Sequence, residues 1–416
     1  MNLQSGTYYW PTTYLDAPSY PALKGNLQCD VLIVGGGSSA AQCAYYLADS
    51  DLDVVVIEKG KIGHGSTKSN TALIQYSGEK MFTDLIHTFG EDYIGRHLQL
   101  LRQAVNEIEM AANAVDIDCE FTRRDTLYAA SCQEDIIRLQ KEYELLKKHG
   151  FELSFWTKED IERNYPFSRD AAIYSYDDGE LNPYKFTHAL FDYAAKKNIH
   201  IFENTEMNGH HYDAETDCMK ISIKKGYSIT ARKVIFAAGY EGMDIRKEKM
   251  VSFVSTYTVT TNPVDDFSTW YNRTLLWETA RPYLFMRTTA DNRIIIGGLD
   301  DNTTHPEDRD SKLMHRKEKL IEEFHKLFPD INVEPEYYLA SFYGGSVDGL
   351  PIIGVYDQYP CCYFLFAFGD NGTVYSQLLS KLIRDHIVTG SSPDFELYLP
   401  DRPVLSVSSK REEVSK

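Results

Sequence analysis

Asp30-Val-Leu-Ile-Val-Gly-Gly-Gly-Ser-Ser-Ala40 is the stretch on which the fold turns. Asp30–Val34 is a short apolar, β-branched run that stops at Gly35-Gly36-Gly37, the pattern of a buried parallel strand meeting a tight turn. Ser38 to Ala48 has helical composition, and Asp53-Val-Val-Val-Ile-Glu58 repeats the buried-strand pattern, so the spacing predicts a βαβ unit. Within that unit Gly35-x-Gly37-x-x-Ala40 matches the glycine fingerprint of dinucleotide sites. The match means little alone. It needs a preceding strand, a following helix and an acid about 20 residues on, and all three are present, the acid being Glu58. Gly35 allows the turn, Gly37 lets backbone approach a pyrophosphate, and Ala40 is small enough for close helix–strand packing. The diphosphate would then sit at the positive end of the helix, at Ser38 and Ser39, with Glu58 accepting hydrogen bonds from a ribose.

Outward from this unit, the loop from Lys59 through Gly63, Gly65, Ser66, Thr67 and Asn70 is built of small residues where a plain dehydrogenase would start a helix. Small residues let backbone run against a flat ring, which favours FAD over NAD. No second glycine fingerprint follows, so a nicotinamide site in the same chain is not expected. Leu98, Leu101, Val105, Ile108, Ala112 and Val115 recur at helical spacing and predict a long helix packed on its own domain. Strands are expected near 121–131 and 233–239, helices over 134–149, 186–196, 314–328 and 378–387. Hairpins are expected at 221–230 and 283–296. The aromatic arm Tyr8-Tyr9-Trp10 should dock on the body, and the segment 403–416 reads as a polar, disordered tail.

Bulk properties narrow the function classes. At 416 residues two domains are the default. The net charge of -18 argues against nucleic acid and against anionic membrane surfaces, both of which need basic patches. Seven cysteines without a CxxC pair fit reduced thiols, and no run of about 18 apolar residues occurs, so a cytoplasmic protein without a membrane span is expected. No HExxH or Cys/His cluster is present. His210-His211 reads as a solvated pair in a loop-like stretch rather than a metal site.

Several further blocks carry a resemblance. They are Gly179-Glu-Leu-Asn-Pro183, Ala237-Ala-Gly239, Arg293-Ile-Ile-Ile-Gly-Gly298, Asp348-Gly-Leu-Pro351 and Gly369-Asp-Asn-Gly372. Together with the fingerprint and the lead-in Tyr20-Pro-Ala-Leu-Lys-Gly25, they make the chain resemble the D-amino-acid oxidase/glycine oxidase family of FAD-dependent oxidoreductases. Within it the branch containing gamma-glutamylputrescine oxidoreductase is the nearest in pattern. The resemblance implies an α/β fold: a doubly wound, Rossmann-type FAD domain interrupted by an α+β substrate domain with an antiparallel sheet. The expected division is 1–82, 157–248 and 340–402 for the FAD part, and 83–156 with 249–339 for the substrate part. It also implies that Ser66, Thr67, Asn70 and Thr71 lie near pyrophosphate and flavin, with Lys59 and Gly65 in the same loop. Met207, Ala238 and Gly239 are further expected cofactor contacts. So are Gly369, Asn371, Gly372 and Thr373, where a helix N-terminus would face the flavin. Asp348 either caps its own turn or touches FAD.

The chemistry implied is oxidation of a carbon bearing an amine by hydride transfer to flavin N5. Two positions depart from relatives. Tyr343 stands where amino-acid-oxidising relatives keep an arginine for the substrate carboxylate, and Val374 where sarcosine-oxidising ones place a lysine. Ser341 and Ser69 stand where some relatives attach flavin covalently, so a non-covalent FAD is expected. Tyr257, Tyr283 and Tyr343 are candidates for the substrate wall, against an alternative as core or sheet aromatics. The reading is an amine or modified amino acid as substrate, with oxygen or an electron carrier as acceptor. The alternatives are a flavin dehydrogenase of a hydroxy compound and a non-catalytic FAD-stabilised assembly protein.

Overall fold

A computed structural model describes residues 2–78 and 80–402. The expected tail at 403–416 lies outside the described residues. The strand Leu27–Val34 is central to an eight-stranded sheet, flanked in parallel by Val54–Ile57 and by Ser228–Phe236. His200–Phe202 extends one side and Cys362–Phe366 the other, again in parallel, and Ile352–Gly354 closes that edge antiparallel. Val31, Leu32 and Ile33 are almost fully buried, as β-branched and apolar residues must be when both faces of a parallel strand are covered. One face carries the helix Ser38–Leu47, whose Ala40, Ala41 and Ala44 are buried and allow close approach to the helices Pro183–Lys196 and Gly372–Thr389.

The second sheet has ten strands and is mostly antiparallel. Val251–Thr261 stands third from one edge, paired on one side with Pro335–Ser346 and on the other with Ile294–Asp301. The order continues through Leu284–Thr288, Leu275–Glu278, Thr122–Ala129 and Ala171–Glu180. At the far edge Gln4–Gly6 adds to Pro335–Ser346 in the register Gln4↔Ser341, Ser5↔Ala340 and Gly6↔Leu339. The helix Leu313–Leu327 covers one face through Leu320 and Phe324. The long helix Glu91–Ala114 buries the anticipated Leu98, Leu101, Val105 and Ile108, and packs against Gly372–Thr389. Each such side chain removed from water contributes roughly 1.5–3 kcal/mol.

The folded chain corrects several sequence expectations. The hairpin strand and the 233–239 strand are one continuous element, Ser228–Phe236, that changes partner half-way along. His210 and His211 lie in a strand, Met207–Asp213, opposite Ile221 and Lys220. The last long helix runs Gly372–Thr389, longer than the expected 378–387, and starts at the glycine loop where the resemblance implies a helix N-terminus. The division at 156/157 falls inside the ten-stranded sheet, because Leu153–Thr157 pairs with Ala171–Glu180. The division at 339/340 cuts the strand Pro335–Ser346. The aromatic arm docks as anticipated. Tyr9 donates to Asp291 at 2.5 Å and Trp10 Nε1 to Asn70 O at 2.7 Å.

Candidate functional site

The parallel strands end together, and that is where the site lies. Gly35 N donates to Ile57 O at 2.8 Å and Ala237 N to Val34 O at 2.9 Å, so Gly35, Glu58 and Ala237 meet at one crevice. Ligands bind open α/β sheets outside the carboxyl ends of the strands. Gly35 has φ +133°, and a Cβ there would stand 2.3 Å from Ala237 O, so no other residue fits the turn. The crevice opens into a cavity of about 730 Å³, within the roughly 300–1,000 Å³ of small-molecule sites.

The fingerprint residues Gly35, Gly37, Ser38 and Ser39 line this cavity. Glu58, Lys59, Gly65, Ser66 and Thr67 do so too, as do Asn70, Thr71 and Met207, and Ala238 and Gly239 complete that side. The first hydrogen bond inside the helix is Ala41 N to Gly37 O, which leaves the earlier amides outside the helical ladder. Of these, Ser38 N donates to Thr67 Oγ1 at 3.0 Å. Glu58 is half-buried, and burial raises its carboxyl pKa against the lowering effect of the Gly60 and Gly36 amides. Its Oε1 accepts from Gly60 N at 2.7 Å. Lys59 is paired with Glu241 and Lys61 with Glu203.

A second helix N-terminus reaches the same cavity. Gly369, Gly372 and Ser376 line it, and Ser376 Oγ meets Ser39 Oγ at 2.7 Å, tying the two helix starts together. Asn70 Nδ2 donates to Thr373 Oγ1 at 2.9 Å across the same junction. Thr373 and Asn371 are themselves buried behind the wall, and Asn371 Nδ2 donates to Ser77 O. They position the loop rather than line the cavity. Ala40 is fully buried at the helix–sheet contact, in the packing role its size suggests.

Two candidates move elsewhere. Asp348 does not line the cavity. It is held by Arg402, whose Nε and Nη2 donate to its two oxygens at 2.8 and 2.7 Å, and its Oδ1 also accepts from Leu350 N. The turn-capping alternative is therefore the structural one. Tyr257 is fully buried, donating to Asp301 at 3.1 Å, while its neighbours Thr256 and Thr258 line the cavity. Alternation along a strand places Tyr257 on the opposite face.

Tyr283 and Tyr343 line the cavity, and both phenols donate to Asp370 Oδ1, at 2.8 and 2.5 Å. Arg287 does not line the cavity but is fully buried on the same strand face as Phe285, donating to Thr71 O and Leu181 O beside Glu180. Arg281 is exposed and bonds carbonyls of its own turn. Val374 is fully buried in the core, and Ser69 and Ser341 both line the cavity.

Sequence reasoning missed Asp370 as a wall residue, together with Trp277, Phe285 and the arm residues Asn2, Leu3 and Gln4. Gln4 Nε2 donates to Gly65 O at 3.0 Å and Gln4 Oε1 accepts from Ser69 at 2.7 Å, so the arm laces the ten-stranded sheet to the small-residue loop. Only the period-two pairs Thr256/Thr258 and Tyr283/Phe285 carried a signal. The arm's contacts are too remote in sequence to leave one.

A glycine turn that accepts no Cβ, a helix start with amides outside the ladder, and a carboxylate at the next strand end fit a dinucleotide such as FAD. Among the described residues no helix is long and apolar enough to cross a membrane.

Comparison with known proteins agrees with this geometry. Gamma-glutamylputrescine oxidoreductase of Escherichia coli is 23% identical, over 97% of this chain and 94% of its own. A Bacillus subtilis protein named for a Rieske 2Fe-2S iron–sulfur centre is 26% identical over 47% of this chain, and the match spans only 38% of that protein. The crystal structure of glycine oxidase from Geobacillus kaustophilus superposes with a TM-score of 0.75 at 19% identity, covering 90% of this chain and 99% of that one. The family described as FAD dependent oxidoreductase matches residues 30–386, and the chain belongs to it.

Proposed function

We propose that the protein oxidises the C–N bond of an amine or modified amino acid, using an FAD held without a covalent link. The observation that carries this reading is the composition of the substrate wall. Among the described residues, those that the ten-stranded sheet contributes to the cavity are uncharged: Thr256, Thr258, Trp277, Phe285, Ser341 and Tyr343 among them. A carboxylate held there would lack a cation, and an unpaired buried charge costs several kcal/mol. The lysines of the wall stand by Glu58 and are already paired. Bound FAD supplies a hydride acceptor at flavin N5. The chain's own part is positioning: the two helix starts favour negative charge on the cofactor. Trp277 and Phe285 make part of the wall apolar, which limits water at the reacting carbon. Ser69 and Ser341 offer neither thiol nor imidazole for a covalent tether. Oxygen or an electron carrier would serve as the final acceptor.

The test is anaerobic reduction of the yellow protein by panels of amines, amino acids and hydroxy acids. Amines should bleach the flavin faster than the corresponding free amino acids, and acid should release intact FAD. Bleaching by hydroxy acids alone, with no amine active, would overturn the proposal, and flavin that stays attached after denaturation would overturn its non-covalent part.

A further inference from the structure

Resting on the amine reading, we infer that Gln75 contacts the substrate, its carbonyl oxygen accepting an N–H of the reacting amine. Thr126 and Asp178 behind it are positioning residues that decide which end of the amide faces the cavity. Gln75 follows the edge strand Leu73–Ile74 and lines the cavity with Trp277 and Phe285. Its Nε2 is committed to the protein, donating to Thr126 Oγ1 at 3.2 Å. Thr126 Oγ1 in turn donates to Asp178 Oδ2 at 2.6 Å, and Tyr76 N donates to Asp178 Oδ1 at 3.3 Å. Oε1 has no protein partner among the described residues and is not closed off from solvent, so it is the end of the amide left for a ligand. The strand carrying Thr126 has a bulge between Arg124 and Thr126, a device that re-aims side chains beside functional sites.

The sense of this chain is set at its inner end. A hydroxyl has one proton to give. Facing a carboxylate, Thr126 gives it to Asp178 and can only accept from Gln75, which fixes Nε2 inward and Oε1 outward. When Asp178 takes a proton, Oδ1 still faces the fixed Tyr76 N–H, so the new proton lies on Oδ2 beside Thr126 Oγ1. Asp178 then donates to Thr126, Thr126 donates to Gln75, and the amide turns over to present Nε2 to the cavity. The two states treat an amine differently. Loss of hydride from carbon to flavin N5 draws on the nitrogen lone pair, which becomes the second C–N bond. Oε1 accepts an N–H and leaves that lone pair free, whereas Nε2 donates to it and withholds it. Burial raises the Asp178 carboxyl to about 7, so both states lie in the ordinary pH range. Its charged and titratable neighbours are Arg123 and Asp125 on the adjoining strand, Tyr76, and, beyond Tyr76, Glu142 and Arg102 from two helices. The charged ones are engaged elsewhere: Arg123 with Glu109, Asp125 with Tyr174, Glu142 with the amides of Phe82 and Thr83, and Arg102 with Gly150 O.

The experiment is anaerobic stopped-flow reduction of the holoenzyme by the primary amine of the panel that bleaches the flavin fastest, followed from about pH 5 to about pH 9. Above about pH 8 the logarithm of the second-order rate constant should rise with a slope of about one, because only the substrate ammonium still loses its proton. Below about pH 6 the slope should approach about two, because Asp178 must lose one as well. Thr126→Val cuts the chain and should bring the slope to about one throughout, and Thr126→Ser should restore the break. Asp178→Asn should also lose the break, at a low rate, because its Nδ2 donates to Thr126 as the protonated acid does. Gln75→Leu should lose the break and react roughly tenfold more slowly at about pH 8. A wild-type slope of about one across the whole range overturns the inference and leaves the amine reading standing, and that result needs no variant. So does a break that survives in Thr126→Val or Gln75→Leu, because another group is then titrating. Failure of every amine, with a hydroxy compound active, overturns both.

Discussion

Replacing Glu58 by alanine separates the two halves of the cofactor. The carboxylate stands at the end of Val54–Ile57, beside the Gly35 turn, where ribose hydroxyls of an adenosine would reach it. A hydrogen bond to a charged group contributes roughly 1.5–3 kcal/mol. Loss of that interaction should therefore weaken FAD binding by roughly tenfold to a little over a hundredfold. The side chain also accepts from Gly60 N at 2.7 Å, so alanine removes a local contact as well. Glu58→Gln keeps an oxygen for Gly60 and loses only the charge, and it should fall between wild type and Glu58→Ala. The assay is titration of apoprotein with FAD and with FMN, read by quenching of flavin fluorescence. FMN lacks the adenosine ribose and should bind both variants as it binds wild type. A loss of the same size for FMN and FAD would refute the assignment, because it would show that Glu58 acts by holding the loop rather than by contacting the nucleotide.

Two further expectations concern stability. Burial raises the Asp178 carboxyl to about 7 from 3.8, against the lowering effect of bonds from Thr126 and Tyr76 N. A raised folded-state pKa gives stability that is complete below pH 4 and lost as pH rises through 7. Asp178→Asn should therefore gain on wild type by about 2 kcal/mol between pH 5 and pH 7 in urea unfolding, and a flat difference would contradict this. The Asp348–Arg402 pair is almost fully buried, so Arg402→Met should cost about 3–5 kcal/mol by stranding the carboxylate. Adding Asp348→Asn should recover a large part of that loss, and no recovery would show that Arg402 acts through its bonds to Pro351 O and Leu350 O instead.

What could be read from sequence was local. The Gly35 turn, its helix and Glu58 lie within one supersecondary unit, and their mutual constraints leave a compact pattern. Helices with regular apolar spacing, such as Glu91–Ala114, were equally legible. Tyr257 misled because alternation gives two faces without saying which one meets the ligand. Its burial against Asp301 was decided by the helix Leu313–Leu327, not by its own strand. Asp348 was ambiguous because its partner Arg402 is 54 residues further on. Asp370 gave no warning for the same reason: Tyr283 is 87 residues earlier, and nothing in the loop itself points to it.

The strand Gln4–Gly6 bears on how the protein comes into being. Its partners, Leu339 to Ser341, are made long after it, and Gln4 meanwhile has to wait for the loop at Gly65 and Ser69. A ribosome delivers these pieces in order, yet the chamber needs them all at once, along with Gly372 and its helix. The cofactor therefore cannot be enclosed by a growing chain. Pairings of such long sequence separation form slowly, and until they do the parallel strand ends stand open to water and to other chains. Flavin supply during expression should thus govern the yield of soluble protein by trapping the finished fold, rather than by guiding its earlier stages.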